Sequence, residues 1–253
     1  LRLNILNDYV DYFVIVEGNK TWQNNPKKLR FDIDKFSKFK KKIIYIPVED
    51  MPGGNDPYLR ENFQRNSISR GLGLAAKDDL IIISDLDEIP NPKNIIKFKK
   101  NMKYAVFKQS HYYYKINLQS TFNPHWYGSR ICVKNFLKSP QWLRNLKFKK
   151  RPFWRIDKIR LNNIIENGGW HFCNLKNAEQ LLYKYKNLCE TNDPYHFKEK
   201  IDEKFLDLES IKEKIVLGED IIGRNEKYTK KKLDNTFPAY IYNNKDKYID
   251  WIV

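Results

Sequence analysis

Apolar and polar positions fall along this chain in blocks that read as successive elements. Val10 to Glu17, "VDYFVIVE", is a short apolar run closed by an acid, which predicts a buried strand. Lys42 to Val48, "KIIYIPV", predicts a second strand after a polar loop containing "EGNKTWQNNPKK". "DMPGGNDP" is dense in breakers and reads as a loop. From Leu59 to Ala76, Phe63, Ser67, Ile68 and Leu72 share one helical face, and two glycines weaken the end of that helix. "DLIIISD" is a third strand, so the order is strand, loop, strand, helix, strand. That order predicts an α/β fold with a mostly parallel central sheet flanked by helices.

The later part changes character. "YAVFKQSHYYYKIN" has the aromatic and β-branched content of a longer strand. "FNPHWYGSRICV" and "RPFWRIDKIRL" read as short strands and loops, and Asn174 to Leu188 and Lys200 to Val216 as helices. The tail "FPAYIYNNKDKYIDWIV" is apolar enough to dock on the body.

Composition narrows this further. A length of 253 residues suits one large α/β domain or two small ones, and such a chain buries enough apolar surface to need no disulfide or metal staple. Lys and Arg total 47 against 31 Asp and Glu, a net +16, which favours an anionic partner or reflects a generally basic composition. Runs such as "KFSKFKKK" read as solvated faces, and no nucleic acid is expected as the partner. No stretch has the apolar length of a membrane span or reads as a signal peptide, which leaves peripheral membrane contact open. The chain begins at Leu1 without Met, which leaves room for a segment upstream. Cys132, Cys173 and Cys189 have no metal-type spacing and read as reduced thiols, in keeping with a cytoplasmic protein.

The chemistry concentrates in "LIIISDLDEIPNP", where an apolar strand runs into Asp85, Asp87 and Glu88. Ligands of open α/β sheets bind beyond the carboxyl ends of strands. In an extended stretch, residues two apart face one side, so Asp85 and Asp87 suit a hard divalent cation. Glu88 has three readings: metal, substrate or the turn itself. The competing reading of all three acids is a solvated surface turn.

"DLIIISDLDEIPNP" is similar to the corresponding segment of glycosyltransferase family 17, the family of the bisecting β-1,4-N-acetylglucosaminyltransferase. "VDYFVIVEGNKTWQNNPKKLRF", "ENFQRNSISRGL", "YYYKIN" with "HWYGSR", "NGGWHF", "LGEDIIGR" and "FPAYIYNN" resemble further family segments, in order along nearly the whole chain. The resemblance implies a GT-A-like, Rossmann-like catalytic domain over 1–253, with a nucleotide-sugar half (1–103) and an acceptor half (104–253). It implies an inverting transfer from a UDP-sugar, UDP-GlcNAc first among donors, to a glycan hydroxyl, with Mn²⁺ or Mg²⁺ at the acid pair. By position, Asp85 and Asp87 become the metal and diphosphate motif, and Glu17, Lys27, Arg65 and Trp170 donor contacts. His171 becomes a metal ligand or a catalytic group. The departure is "YKNLCETND", which lacks an expected His, with Cys189 standing near its place. Glu190, Glu166, Asp220 and His171 are the candidates for general base, with Glu190 favoured and then Glu166.

Two other readings stand beside this one. A haloacid-dehalogenase-like phosphohydrolase also carries acid-x-acid, but on its first strand and with its first Asp as nucleophile. A non-catalytic basic module for glycan or nucleic acid would use the charge alone.

Overall fold

Residues 1–147, 163–191, 201, 206–222 and 226–253 are described by the structure, a computed structural model. The expected short strands at 151–161 and the start of the helix expected from Lys200 lie outside them. Short helix α1 (Arg2–Leu6) leads into strand β1 (Phe13–Gly18), which pairs in parallel with β2 (Ile43–Val48), from Phe13 opposite Ile43 to Gly18 opposite Val48. Helix α2 (Pro57–Asn66) starts on Asp56, whose side chain accepts from the Tyr58 N–H, with proline at the first helical position where no donor is lost. It ends ten residues before the expected Ala76, passing into a 3-10 turn at Ser67–Gly71. Strand β3 (Leu80–Ile83) then enters the acidic segment.

Beyond β3 the expected parallel sheet gives way to a mixed, mostly antiparallel one. Its strands are β3, β4 (Glu88–Pro90), β5 (Tyr104–Tyr113), β6 (Leu118–Ser120), β7 (His125–Trp126), β8 (Arg130–Val133), β9 (Ile164–Cys173) and β10 (Tyr228–Lys230). The main path is β10-β6-β5-β8-β3, with β7 and β9 also on β5 and β4 on β9. Within this sheet only β5 and β9 run parallel among the described residues. For the strands joined directly, connection length decides. A parallel return needs a crossover of about a dozen residues or more. The link at 114–117 is too short for that, so β5 and β6 pair antiparallel, whereas β5 and β9 are separated by a long stretch of chain. The parallel inference extrapolated from the first third, where long links do occur.

Helices α3 (Pro92–Ile95), α4 (Pro140–Asn145), α5 (Ala178–Lys186), α6 (Leu208–Leu217) and α7 (Ala239–Tyr242) pack around this sheet. Strand β9 separates two environments by its period of two. Trp170 and Phe172 enter a core with Phe13, Ile43, Tyr112, Phe237 and Ile241, while His171 and Cys173 face the other side. The tail docks as its composition predicts. The Trp251 carbonyl accepts from the Ile116 N–H at 2.7 Å, and Asn117 exchanges hydrogen bonds with Val253. Among the described residues no helix is long and apolar enough to cross a membrane.

Gly169 fixes how β9 meets β4. Its φ is +131°, and a Cβ there would lie 2.1 Å from the Ile89 carbonyl oxygen and 2.6 Å from the Asn91 nitrogen. Only glycine takes that backbone without strain or clash. Gly169→Ala is therefore expected to destabilise the fold by about 2–4 kcal/mol, read as a lower urea midpoint at unchanged slope.

Candidate active site

The acids after β3 do not continue as a strand. Residues 84–87 form a turn closed by the Glu88 N–H donating to the Asp85 carbonyl at 3.1 Å, so the expectation of two carboxylates aimed by an extended backbone is corrected. Leu86 at the tip is 84% exposed. What holds the turn is Glu88, whose purpose the sequence left open.

Glu88 is 1% exposed. Its Oε1 accepts from the Trp126 indole N–H at 2.6 Å and from Arg144. Its Oε2 accepts from Arg144 at 2.9 Å, the Ser129 hydroxyl at 3.0 Å and the Asp85 N–H at 3.2 Å. Burial works against its charge, yet Arg144 and the Trp126 donor hold its pKa below the usual carboxylate value. Gly128 makes this packing feasible, since a Cβ there would lie 1.9 Å from Glu88 Oε1 and 2.1 Å from Trp126 Nε1.

Three guanidiniums surround the turn. Arg144, from α4, also reaches Asp85 Oδ2 at 2.7 Å. Arg65, from α2, reaches Asp85 Oδ1 at 3.3 Å, Glu61 at 2.7 Å and Gln141 at 2.5 Å. Arg2, from α1, donates to Ser84 Oγ at 2.5 Å and to the carbonyls of Asp85 and Glu88. Asp87 turns the other way, 3.5 Å from His171 Nε2. Burial opposes both charges of that pair. Even so, the His171 contact brings Asp87 down to about 2, and Asp87 with Cys173 brings His171 up to about 10.

A model of glycosyltransferase family 17 matches residues 1–241. The chain belongs to glycosyltransferase family 17. Among curated proteins it is similar to the β-1,4-mannosyl-glycoprotein 4-β-N-acetylglucosaminyltransferases of Homo sapiens and Rattus norvegicus, each 32% identical over 110 residues. The Mus musculus protein is 31% identical over the same length. Each match covers 39% of this chain and 20% of the relative. No solved structure matches the chain.

In this member of family 17 the residues singled out from sequence are distributed unevenly. Asp85, Asp87, Arg65 and His171 come together at the turn. Glu17, at the end of β1, accepts from the Arg30 and Phe31 N–H groups at 2.9 Å each, from Lys27 Nζ at 3.1 Å and from Tyr45 at 3.1 Å. Glu17 and Lys27 thus close the first loop onto the parallel pair. Trp170 is in the core, its indole N–H donating to the Thr236 carbonyl at 2.9 Å. Glu166 is exposed and pairs with Lys108 at 3.0 Å, roughly 15 Å along β9 from His171. Glu190 follows Cys189, whose thiol lies 3.8 Å from Glu61, so its segment sits against the α2 side of the site. Gln23 ties that segment to the first loop through the Leu188 and Thr191 carbonyls. Asp220 is buried and accepts from the Tyr228 hydroxyl at 3.3 Å, in another part of the core.

Sequence reasoning missed Arg144, Arg2, Ser129 and the structural use of Trp126. It also missed Lys176 and Lys184, whose charges act on Asp87. The "HWYGSR" segment carried a usable signal, an indole donor and a glycine two apart; Arg144 carried none in a chain with 47 basic residues.

The donor set at Asp85 and Asp87 fits a hard divalent cation. Both are carboxylates with side chains 41% and 33% exposed, and in this structure Asp85 is held by Arg144 and Arg65 while Asp87 faces His171, so a cation would take them from those partners.

Two outcomes follow from these contacts. Arg144→Met leaves the Glu88 carboxylate buried without its cation, and should cost about 3–5 kcal/mol in chemical denaturation. Glu17 responds to acid. Burial opposes its charge, but the Phe31 and Arg30 donors and Lys27 prevail and hold its pKa below the ordinary value. Its stabilisation is therefore present above the unfolded carboxylate pKa and lost as pH falls through the folded one. Glu17→Gln should lower the melting temperature at neutral pH, with the gap to wild type closing below about pH 4.

Proposed function

We propose that this chain transfers N-acetylglucosamine from UDP-GlcNAc to a hydroxyl of a glycan acceptor, with inversion, on a GT-A-like domain. The observation that supports it best is the acid turn itself. Asp85 and Asp87 stand at the carboxyl end of the half-buried strand β3, with Arg65 and Arg144 on Asp85 and the charges of Lys176 and Lys184 acting on Asp87. A pair of acids alone would attract a cation; acids ringed by guanidinium and ammonium groups suit a cation and a diphosphate together.

Asp85 and Asp87 would hold Mn²⁺ or Mg²⁺, which when bound would offset the negative charge gathering on the departing nucleotide. Arg65 and Arg144 bind and orient the diphosphate oxygens by their planar forks. Lys176 and Lys184 add positive charge near Asp87. His171 positions Asp87. The general-base role is assigned to Glu190, whose segment sits against the α2 side of the site through Cys189 and Glu61. Glu190 takes the proton of the acceptor hydroxyl as that oxygen attacks the anomeric carbon and the bond to UDP breaks. The 1–103 half carries the donor contacts of α2 and the turn after β3, and the 104–253 half adds Arg144, Lys176 and Lys184 to them and carries the acceptor side. The relatives' printed name supports the sugar transferred and a mannosyl-glycoprotein acceptor as the first to try.

Transfer from UDP-GlcNAc with Mn²⁺, followed by product mass, tests this. Asp87→Ala should lower turnover on the order of 10²-fold or more. UDP-GlcNAc with Mn²⁺ should raise the melting temperature of wild type by mass action. Equal turnover by wild type and Asp87→Ala would sink the role given to the acid pair. Thermal shifts only with GDP- or CDP-sugars would sink the donor.

A further inference from the structure

Between Glu88 and Asp157 the sequence holds no Asp or Glu. That stretch opens, on the turns that join α3 to β5, with Lys93, Lys97, Lys99, Lys100 and Lys103, all exposed. Ile96 stands among them, 76% exposed. We propose that this patch docks the protein on the surface of an anionic phospholipid bilayer.

The segment is pinned from below, which leaves its lysines outside. Phe98 is buried with Phe107, Ile131 and Ile165, and Ile95 and Met102 pack against the same cluster. The side chains of Asn91 and Asn94 donate to the Asn167 carbonyl at 3.2 and 2.8 Å. Asn163 donates to the carbonyls that flank Lys103, those of Met102 and Tyr104, at 3.1 and 2.9 Å. Among the described residues none of the five lysines forms an ion pair. Glu166, on the β9 side of the segment, is taken by Lys108 at 3.0 Å. The run "KFSKFKKK" is denser in lysine but is partly compensated, Asp34 pairing with Lys40 at 2.7 Å and Asp32 with Lys35 at 3.9 Å.

Uncompensated ammonium groups call for an anionic partner. Nucleic acid is read by arginine forks and held by aromatic faces. From Lys93 to Lys103 there is no arginine, and the one aromatic ring, that of Phe98, is buried. A bilayer needs neither. Lysine heads sit among lipid phosphates while their stems lie along the apolar boundary, and an exposed isoleucine between them enters the layer below the headgroups. Ile96 is thereby removed from the water it faces in the free protein. Lys93 follows Glu88 by five residues, so the acid turn lies at most roughly 18 Å from the patch, and docking holds it at the bilayer surface. The contact is independent of which sugar is transferred.

Flotation of the intact chain with vesicles tests this, using phosphatidylcholine alone and phosphatidylcholine with about one third phosphatidylglycerol. Binding is expected to the mixed vesicles only, falling steeply as salt rises. Each lysine at an anionic surface strengthens binding about fivefold, so Lys97→Gln, Lys99→Gln and Lys100→Gln together should weaken it on the order of 10²-fold, at an unchanged melting temperature. Removing the same charge from the other run, by Lys35→Gln, Lys38→Gln and Lys41→Gln, should leave most of the binding in place. Ile96→Ser leaves the charge alone and should weaken vesicle binding without changing its salt dependence, an effect that a soluble polyanion would not sense. Equal binding to both kinds of vesicle, equal losses in the two triple variants, or an Ile96→Ser chain that binds as wild type does, overturns the proposal. So does an oligonucleotide that binds through Lys97, Lys99 and Lys100 while the mixed vesicles stay unbound.

Discussion

The buried ion pair between Glu88 and Arg144 is the constraint on which the site depends. A carboxylate at 1% exposure is tolerable only when every oxygen lone pair meets a donor, and Glu88 meets five donor contacts from Arg144, Trp126, Ser129 and the Asp85 backbone. Pairs this deep are often no better for stability than well-packed apolar side chains. What Glu88 and Arg144 add is position. One guanidinium spans Glu88 and Asp85, so the residue that cannot move fixes the residue that faces solvent. Elements far apart in sequence meet there: the end of β3, the start of β4, the loop from β7 to β8, and α4.

The same logic extends to Asp87 through the sheet. β5 and β9 run parallel, and their alternation sends Trp170 and Phe172 into the core while His171 and Cys173 face the other way. The apolar face anchors the strand and the polar face carries the chemistry. The Phe172 N–H donates to the Asp87 carbonyl at 2.9 Å, and the neighbouring His171 faces the Asp87 carboxylate. Backbone and side chain of Asp87 are thus both set by one strand. Gly169, two residues earlier, lets that strand approach β4 closely enough to do so.

Local features were legible in the sequence, and long-range ones were not. The runs behind β1, β2, β3 and β5 predicted strands within a few residues of their observed ends, because burial imposes a local pattern. Family segments singled out Asp85, Asp87, Arg65 and His171 one by one, and their meeting at one turn is a feature of the fold. Strand direction after β3 was misread, since pairing depends on which distant segments meet. Arg144 lies 59 residues from Asp85, and Arg2 lies 83. Neither has a spacing that marks it, and a Lys- and Arg-rich chain hides both. Trp126 was legible as an aromatic but not as a donor to a buried acid. Glu88 stood in view throughout, yet its role follows only from its burial.

The charges around the turn also govern how a donor could enter. Asp85, Asp87 and Glu88 face Arg2, Arg65, Arg144 and His171, so the acids are already compensated by the protein. Guanidiniums stay charged at any working pH and cannot resolve the balance by losing protons. A divalent cation alone would therefore approach a region with several positive groups, and a diphosphate alone would approach three carboxylates. Brought together, the two are complementary to both sets: carboxylate oxygens to the cation, guanidinium forks to the phosphates. On the proposed reading, donor binding is an exchange of partners at Asp85, while Glu88, closed off by Trp126 and Gly128, keeps its contacts and holds the turn in place.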